Sequence, residues 1–113
     1  MTKITGVHHI AVFPTADKYT ETVDFYTKLL GFPIKDSWGD EGTPCLMVSC
    51  GDNSCMEIIP SETAHGTDGP LVHVAFWCGD GLDEIVEDVR RAGYTVRVEP
   101  QDLELCGKPI RNA

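Results

Sequence analysis

Three side chains in apolar stretches of this sequence carry groups that bind divalent metal ions. They are two histidines, His9 and His73, and one glutamate, Glu57, which stands between Met56 and Ile58. A carboxylate in so apolar a stretch must be paired, bound to a metal, neutral or at an exposed edge. Two imidazoles and a carboxylate form a ligand set that suits Zn, Ni, Co, Mn or Fe(II). The three residues therefore predict a metal site, provided that the fold brings them together.

A repeat in the sequence connects the two histidines. His9 begins the phrase His-Ile-Ala-Val-Phe, and roughly 64 residues later His73 begins His-Val-Ala-Phe-Trp. Each copy leads into a helical pattern closed by a glycine and an aromatic residue, Gly31-Phe32 and Gly93-Tyr94. Taken singly, a histidine in a strand is usually an ordinary core or surface residue. A duplicated unit places equivalent strands near one axis, so we expect His9 and His73 to approach each other.

Alternation and turn residues predict the order β-α-β-β-β for the first half of the chain. The predicted elements are a strand over 6–13, a helix over 18–30 with Asp17 as N-cap and Gly31 as C-terminal cap, and strands over 32–38, 44–50 and 55–59. Alternation on the first strand places His9, Ala11 and Phe13 on one face. The other face carries His8, Ile10 and Val12, of which Ile10 and Val12 suit packing under a helix. We expect His8 to point toward the helix side or the edge and assign it no role, and we expect the His9 face to line a cavity.

The second half repeats this pattern but is shorter. It is predicted to contain a strand over 71–78, a helix over 82–92, a strand over 95–99, a loop over 100–107 and the start of a strand at 108–112. The repeat mate of Glu57 would fall about 62 to 64 residues later, beyond Ala113. We therefore expect one α+β domain over 1–113, with a first module at about 4–60 and an incomplete second module at about 71–113.

Composition narrows the possible partners. Eighteen acidic residues against nine basic ones give a net charge of −9, which argues against nucleic acid and against anionic membrane surfaces. No apolar run approaches the roughly 20 residues that cross a bilayer, and the amino terminus has no apolar signal core, so we expect a cytoplasmic protein. The five cysteines are odd in number and form no CxxC pair, which favours reduced thiols.

The stretch from His9 to Phe32 resembles the opening of a known superfamily. Its Phe-Tyr-Thr-Lys phrase at 25–28 and the Leu-Gly-Phe that ends it resemble the vicinal-oxygen-chelate superfamily, the group of glyoxalase I, bleomycin-resistance proteins and extradiol dioxygenases. Single-domain bacterial glyoxalase I-like proteins are the most similar members. The resemblance implies paired β-α-β-β-β modules, a homodimer and a divalent metal cofactor (Ni, Zn, Co or Mn, in preference to Fe). Its ligand pattern assigns His9, Glu57 and His73 to the metal; the glutamate of the last strand has no counterpart here.

The resemblance also implies a function. It is that of a lyase or isomerase of glyoxalase I (lactoylglutathione lyase) type, acting on a thiol adduct of a 2-oxoaldehyde through a metal-stabilised enediolate. Glu57 would be both ligand and catalytic base. The alternatives are a methylmalonyl-CoA epimerase-like enzyme and a metal-free, drug-sequestering protein of bleomycin-resistance type, whose cationic ligand the acidic charge would suit. A third alternative is a shortened chain that folds only by strand exchange with a partner. Iron dioxygenases fit less well, because they normally use longer chains.

Overall fold

The first part of the chain forms a four-stranded sheet with one helix packed on it. The computed structural model describes residues 7–62, 76, 78–105 and 108–113, and the chain divides into two compact units, Met1–His73 and Val74–Ala113. The elements of the first unit are β1 (His9–Val12), α1 (Ala16–Asp24), a π-helical segment (Phe25–Leu29), β2 (Ile34–Trp38), β3 (Cys45–Ser49) and β4 (Cys55–Ile58). The predicted β-α-β-β-β order and the α+β class are confirmed. The grouping of both modules into a single domain stays a prediction.

The sheet of the first unit has the strand order β1-β4-β3-β2. Strand β3 is antiparallel to both of its neighbours, whereas β1 lies parallel to β4. The antiparallel pairs follow from the short turns that join β2 to β3 and β3 to β4. The parallel pair requires a long connection, and α1 with the two intervening strands supplies it. As a result, the first and last strands of the unit are neighbours in space.

Alternate residues of β3 and β4 form the core. Their register places Leu46 opposite Ile58 and Val48 opposite Met56, and all four side chains are buried together with Tyr19 of α1. Partly buried apolar residues complete the cluster: Val12, Val23, Tyr26, Phe32 and Cys50. The period of two in the strands thus turns one face of the sheet toward the helix.

The helix of the first unit differs from the prediction in its N-cap, whereas the glycine that follows its C-terminal end is as predicted. Its N-cap is Thr15 rather than Asp17. The Thr15 hydroxyl donates a hydrogen bond of 2.6 Å to the Asp17 carboxylate, which lowers the pKa of Asp17. At the other end the helix widens, since the amide of Leu30 donates to the Phe25 carbonyl at 3.0 Å. Gly31 then adopts the predicted left-handed conformation, with φ of +76°.

Tyr19 ties this helix to the loop before β3. Its side chain is buried, and its hydroxyl donates a hydrogen bond to the Pro44 carbonyl. Burial also raises the pKa of the Tyr19 phenol. We expect Tyr19→Phe to lower the free energy of unfolding by about 1 kcal/mol, because the carbonyl loses its partner while the ring stays in place. Urea denaturation of both proteins measures the difference, and equal midpoints would show that the bond adds no net stability.

The described part of the second unit is a helix followed by a hairpin. Helix α2 (Leu82–Arg91) begins where predicted and ends one residue earlier, with acidic residues in its first turn and arginines in its last. Strands β5 (Gln101–Leu105) and β6 (Lys108–Asn112) pair antiparallel. The predicted strand over 71–78 lies outside the described residues, apart from positions 76 and 78. No helix in the described ranges is long and apolar enough to cross a membrane.

Two predictions for this unit are wrong. The stretch 95–99 is not a strand, and the stretch 100–107, predicted as a loop, contains β5. An alternating pattern becomes a strand only when a partner pairs with it, and in the described residues 95–99 have none. Instead, both carboxylate oxygens of Glu99 accept hydrogen bonds from the Arg90 guanidinium at 2.8 and 2.6 Å. Strand β5 gains the partner that 95–99 lack, with Leu103 opposite Ile110.

Candidate metal centre

The face of the first sheet opposite the helix carries His9 and Glu57. On β4, Met56 and Ile58 are buried in the core, so the alternation turns Glu57 the other way. The parallel register places Ala11 beside Glu57, and His9, two residues before Ala11, lies on the same face. The predicted division of the β1 faces is therefore confirmed for His9 and Ala11.

The two side chains are in contact. The Nε2 atom of His9 lies 3.3 Å from Oε2 of Glu57. The glutamate side chain is only 16% exposed, while the imidazole is 41% exposed. A carboxylate with so little access to water needs a partner, and the His9 imidazole lies within ion-pair distance of it. The structure thus brings together two of the three predicted ligands, from strands at opposite ends of the unit's sequence.

His8 extends this contact to a third residue. Its Nδ1 atom lies 2.9 Å from Nδ1 of His9, and the two rings meet edge to face with centroids 5.1 Å apart. The direction expected for His8, toward the helix side or the edge of the sheet, stays a prediction. Residue 8 precedes β1, which begins at His9, so the alternation of the strand does not govern its direction. The sequence offers only the adjacency of the two histidines as a signal for this contact.

The spacing of the two donor atoms fits a shared metal ion. Zinc bonds to imidazole nitrogen and carboxylate oxygen measure about 2.0–2.2 Å, so two such ligands on one ion lie roughly 3 to 3.5 Å apart. The observed separation of 3.3 Å between His9 and Glu57 is within this range. The imidazole and the carboxylate are also a donor set that Zn, Ni, Co or Mn accepts. The spacing of these two donor atoms is thus compatible with one shared ion.

The third predicted ligand, His73, lies outside the described residues. Within the ranges that are described, no group of three or more His, Cys, Asp or Glu side chains could hold a metal ion. His9 and Glu57 are thus a two-residue arrangement in that part of the chain. The assignment of His73 stays a prediction.

Neighbouring strands add side chains to the same face of the sheet. Met47 of β3 lies directly opposite Glu57, and Asp36 of β2 lies opposite Met47. Alternation along β2 then places Trp38, 43% exposed, on the side of Asp36. None of these residues was predicted to belong to the site. Their place depends on the register between strands, which no single stretch of the sequence carries.

Comparison with known protein families shows to which family the chain belongs. A sequence model of the Glyoxalase/Bleomycin resistance protein/Dioxygenase superfamily matches residues 6–104. The chain belongs to this superfamily. The resemblance seen at residues 9–32 is thereby confirmed. The superfamily name covers enzymes and a resistance protein, so membership alone does not choose between catalysis and binding.

Solved structures support the same fold for this glyoxalase superfamily chain. The crystal structure of SMU.1112c is similar with a TM-score of 0.61 and 21% sequence identity, over 95% of this chain and 88% of that one. An integron cassette protein from the mobile metagenome of V. cholerae, VCH_CASS1, is similar with a TM-score of 0.58 and 17% identity, over 98% and 85%. At these identities the likeness concerns the fold alone. Among curated proteins, none matches the chain.

Proposed function

We propose that this chain is a metal-dependent enzyme of glyoxalase I type, which isomerises the thiol adduct of a 2-oxoaldehyde. The observation that carries the proposal is the 3.3 Å contact between His9 Nε2 and Glu57 Oε2 on the sheet face turned away from the helix. Membership of the superfamily supports it. A divalent ion at this position would supply Lewis-acid stabilisation of negative charge on two neighbouring substrate oxygens.

Each proposed ligand has a separate role. His9 provides a neutral nitrogen donor from β1, and His73 provides a second one in this proposal. Glu57 provides the negative charge that retains a divalent ion. A carboxylate has two oxygens, so Glu57 can also accept the proton that leaves the substrate carbon and return it to the neighbouring carbon. Its low exposure of 16% keeps water from competing for that proton.

A metal-free binding protein is the second candidate. Two observations favour it: the net charge of −9 attracts cations, and Trp38 is 43% exposed on the side of the sheet that carries Asp36. A cation stacked on an indole beside a carboxylate is a common mode of cation recognition. This function needs no contact between His9 and Glu57, so that contact favours the enzyme.

One experiment on the full chain tests the enzyme proposal. After dialysis against a chelator, the protein is reloaded with Ni²⁺, Zn²⁺, Co²⁺ or Mn²⁺ and mixed with the adduct of methylglyoxal and glutathione. We expect one bound ion per chain by elemental analysis, and thioester formation followed by its ultraviolet absorbance. Thioester formation without bound metal would contradict the mechanism, and no bound metal would leave the binding protein as the better account.

The related epimerase reaction is distinguished from the glyoxalase I reaction by its substrate. Bound metal without thioester formation would contradict the glyoxalase I assignment but keep the metal site. In that case, exchange of the α-proton of methylmalonyl-CoA for deuterium, measured by mass spectrometry, identifies an epimerase. Absence of exchange as well would limit the conclusion to metal binding.

A further inference from the structure

The two neighbouring imidazoles are in hydrogen-bond contact. The Nδ1 atom of His8 lies 2.9 Å from Nδ1 of His9. A neutral imidazole has one N–H and one acceptor nitrogen, so in this contact one Nδ1 atom donates and the other accepts.

Metal binding would decide which nitrogen donates. A metal at Nε2 of His9 would leave the proton of the neutral ring on Nδ1. That N–H would donate to Nδ1 of His8, which would accept it and carry its own hydrogen on Nε2. His8 is exposed, so water reaches the residue.

We propose that His8 is a positioning residue for the metal ligand His9, whose ring it orients by accepting the hydrogen bond from Nδ1. The inference rests on the proposed metal site. A metal-bound histidine commonly gives its second N–H to a carboxylate or a carbonyl, which fixes the ring and raises its basicity. Here the residue immediately before the ligand supplies that acceptor.

Two substitutions separate the hydrogen bond from the bulk of the side chain. His8→Ala removes the acceptor, whereas His8→Asn retains an oxygen acceptor close to the position of Nδ1. We expect His8→Ala to weaken Zn²⁺ binding by about 10- to 100-fold, the usual effect of losing such a partner, and His8→Asn to restore most of the loss. Isothermal titration calorimetry of the full chain with Zn²⁺ measures both. Equal affinities of wild type and His8→Ala would overturn the role of His8 and leave the metal site standing.

A second measurement reads the tautomers directly. Imidazole nitrogen shifts of the wild-type protein, recorded by ¹⁵N NMR, distinguish a protonated from an unprotonated ring nitrogen. With Zn²⁺ bound we expect hydrogen on Nδ1 of His9 and on Nε2 of His8. Hydrogen on Nδ1 of His8 in the zinc-bound protein would overturn the proposal. Absence of zinc binding by the wild type would overturn this inference together with the proposed function.

Discussion

Glu57→Gln is expected to weaken the binding of Zn²⁺ by more than about 100-fold, because loss of a partner outside the ligand set alone costs about 10- to 100-fold. The substitution keeps the shape of the side chain but removes its negative charge. An amide oxygen is a poorer ligand than a carboxylate for a divalent ion, and it cannot serve as the base. Thioester formation should therefore fall below detection even at saturating metal. Calorimetry gives the affinity, and the absorbance assay gives the rate.

Glu41→Gln is the matched control for this experiment. Glu41 is exposed in the turn between β2 and β3, and its substitution removes the same unit of charge from a protein of net charge −9. We expect it to leave the affinity for Zn²⁺ nearly unchanged, since exposed charges are screened by salt within about 10 Å at 0.1 M. If both variants lost affinity equally, general electrostatic attraction and not a built site would explain the binding.

Ile58→Ala is expected to lower the free energy of unfolding by about 2 to 5 kcal/mol, the usual cost of a buried isoleucine-to-alanine change. Ile58 has no exposed surface and lies opposite Leu46 in the centre of the core. The substitution removes three carbon atoms and leaves a cavity between the sheet and α1. Urea denaturation measures the loss as a lower midpoint with an unchanged slope.

Ile34→Ala is the corresponding control on the same sheet. Ile34 begins β2, an edge strand, and is 53% exposed. The same atoms are removed, but little apolar surface returns to water, so we expect a change within about 0.5 kcal/mol. A large effect at Ile34 would mean that this face of β2 is covered in solution. A small effect at Ile58 would contradict the position of the core.

The sequence predicted the first unit well because its signals are local. The period of two in β3 and β4, the turn residues between them and the glycine at position 31 each specify a nearby feature of the backbone. The same alternation indicated the buried neighbours of Glu57. Glu57 itself was identified as a candidate because a carboxylate between Met56 and Ile58 has to be compensated.

The predictions that were wrong or missing concern features that depend on residues far apart in the sequence. Whether 95–99 or 101–105 becomes a strand depends on which stretch pairs with β6, and the more polar stretch, Gln101–Leu105, is the one that does. The contact between His8 and His9 was not predicted, because the predicted strand begins at residue 6 and alternation through it separates the two side chains. Met47 and Asp36 were not predicted for the site, because their place on the sheet face of Glu57 depends on the register of three strands.

The parallel pairing of β1 with β4 has a consequence for how the candidate site assembles. Strands β2, β3 and β4 pair with neighbours in sequence, whereas β1 reaches β4 across all of the intervening chain. Closing so long a loop costs chain entropy before its contacts form, so we expect His9 to meet Glu57 late in folding. An ion held between them would then strengthen a contact that the folding transition state lacks. Such an ion would slow unfolding and leave the folding rate almost unchanged.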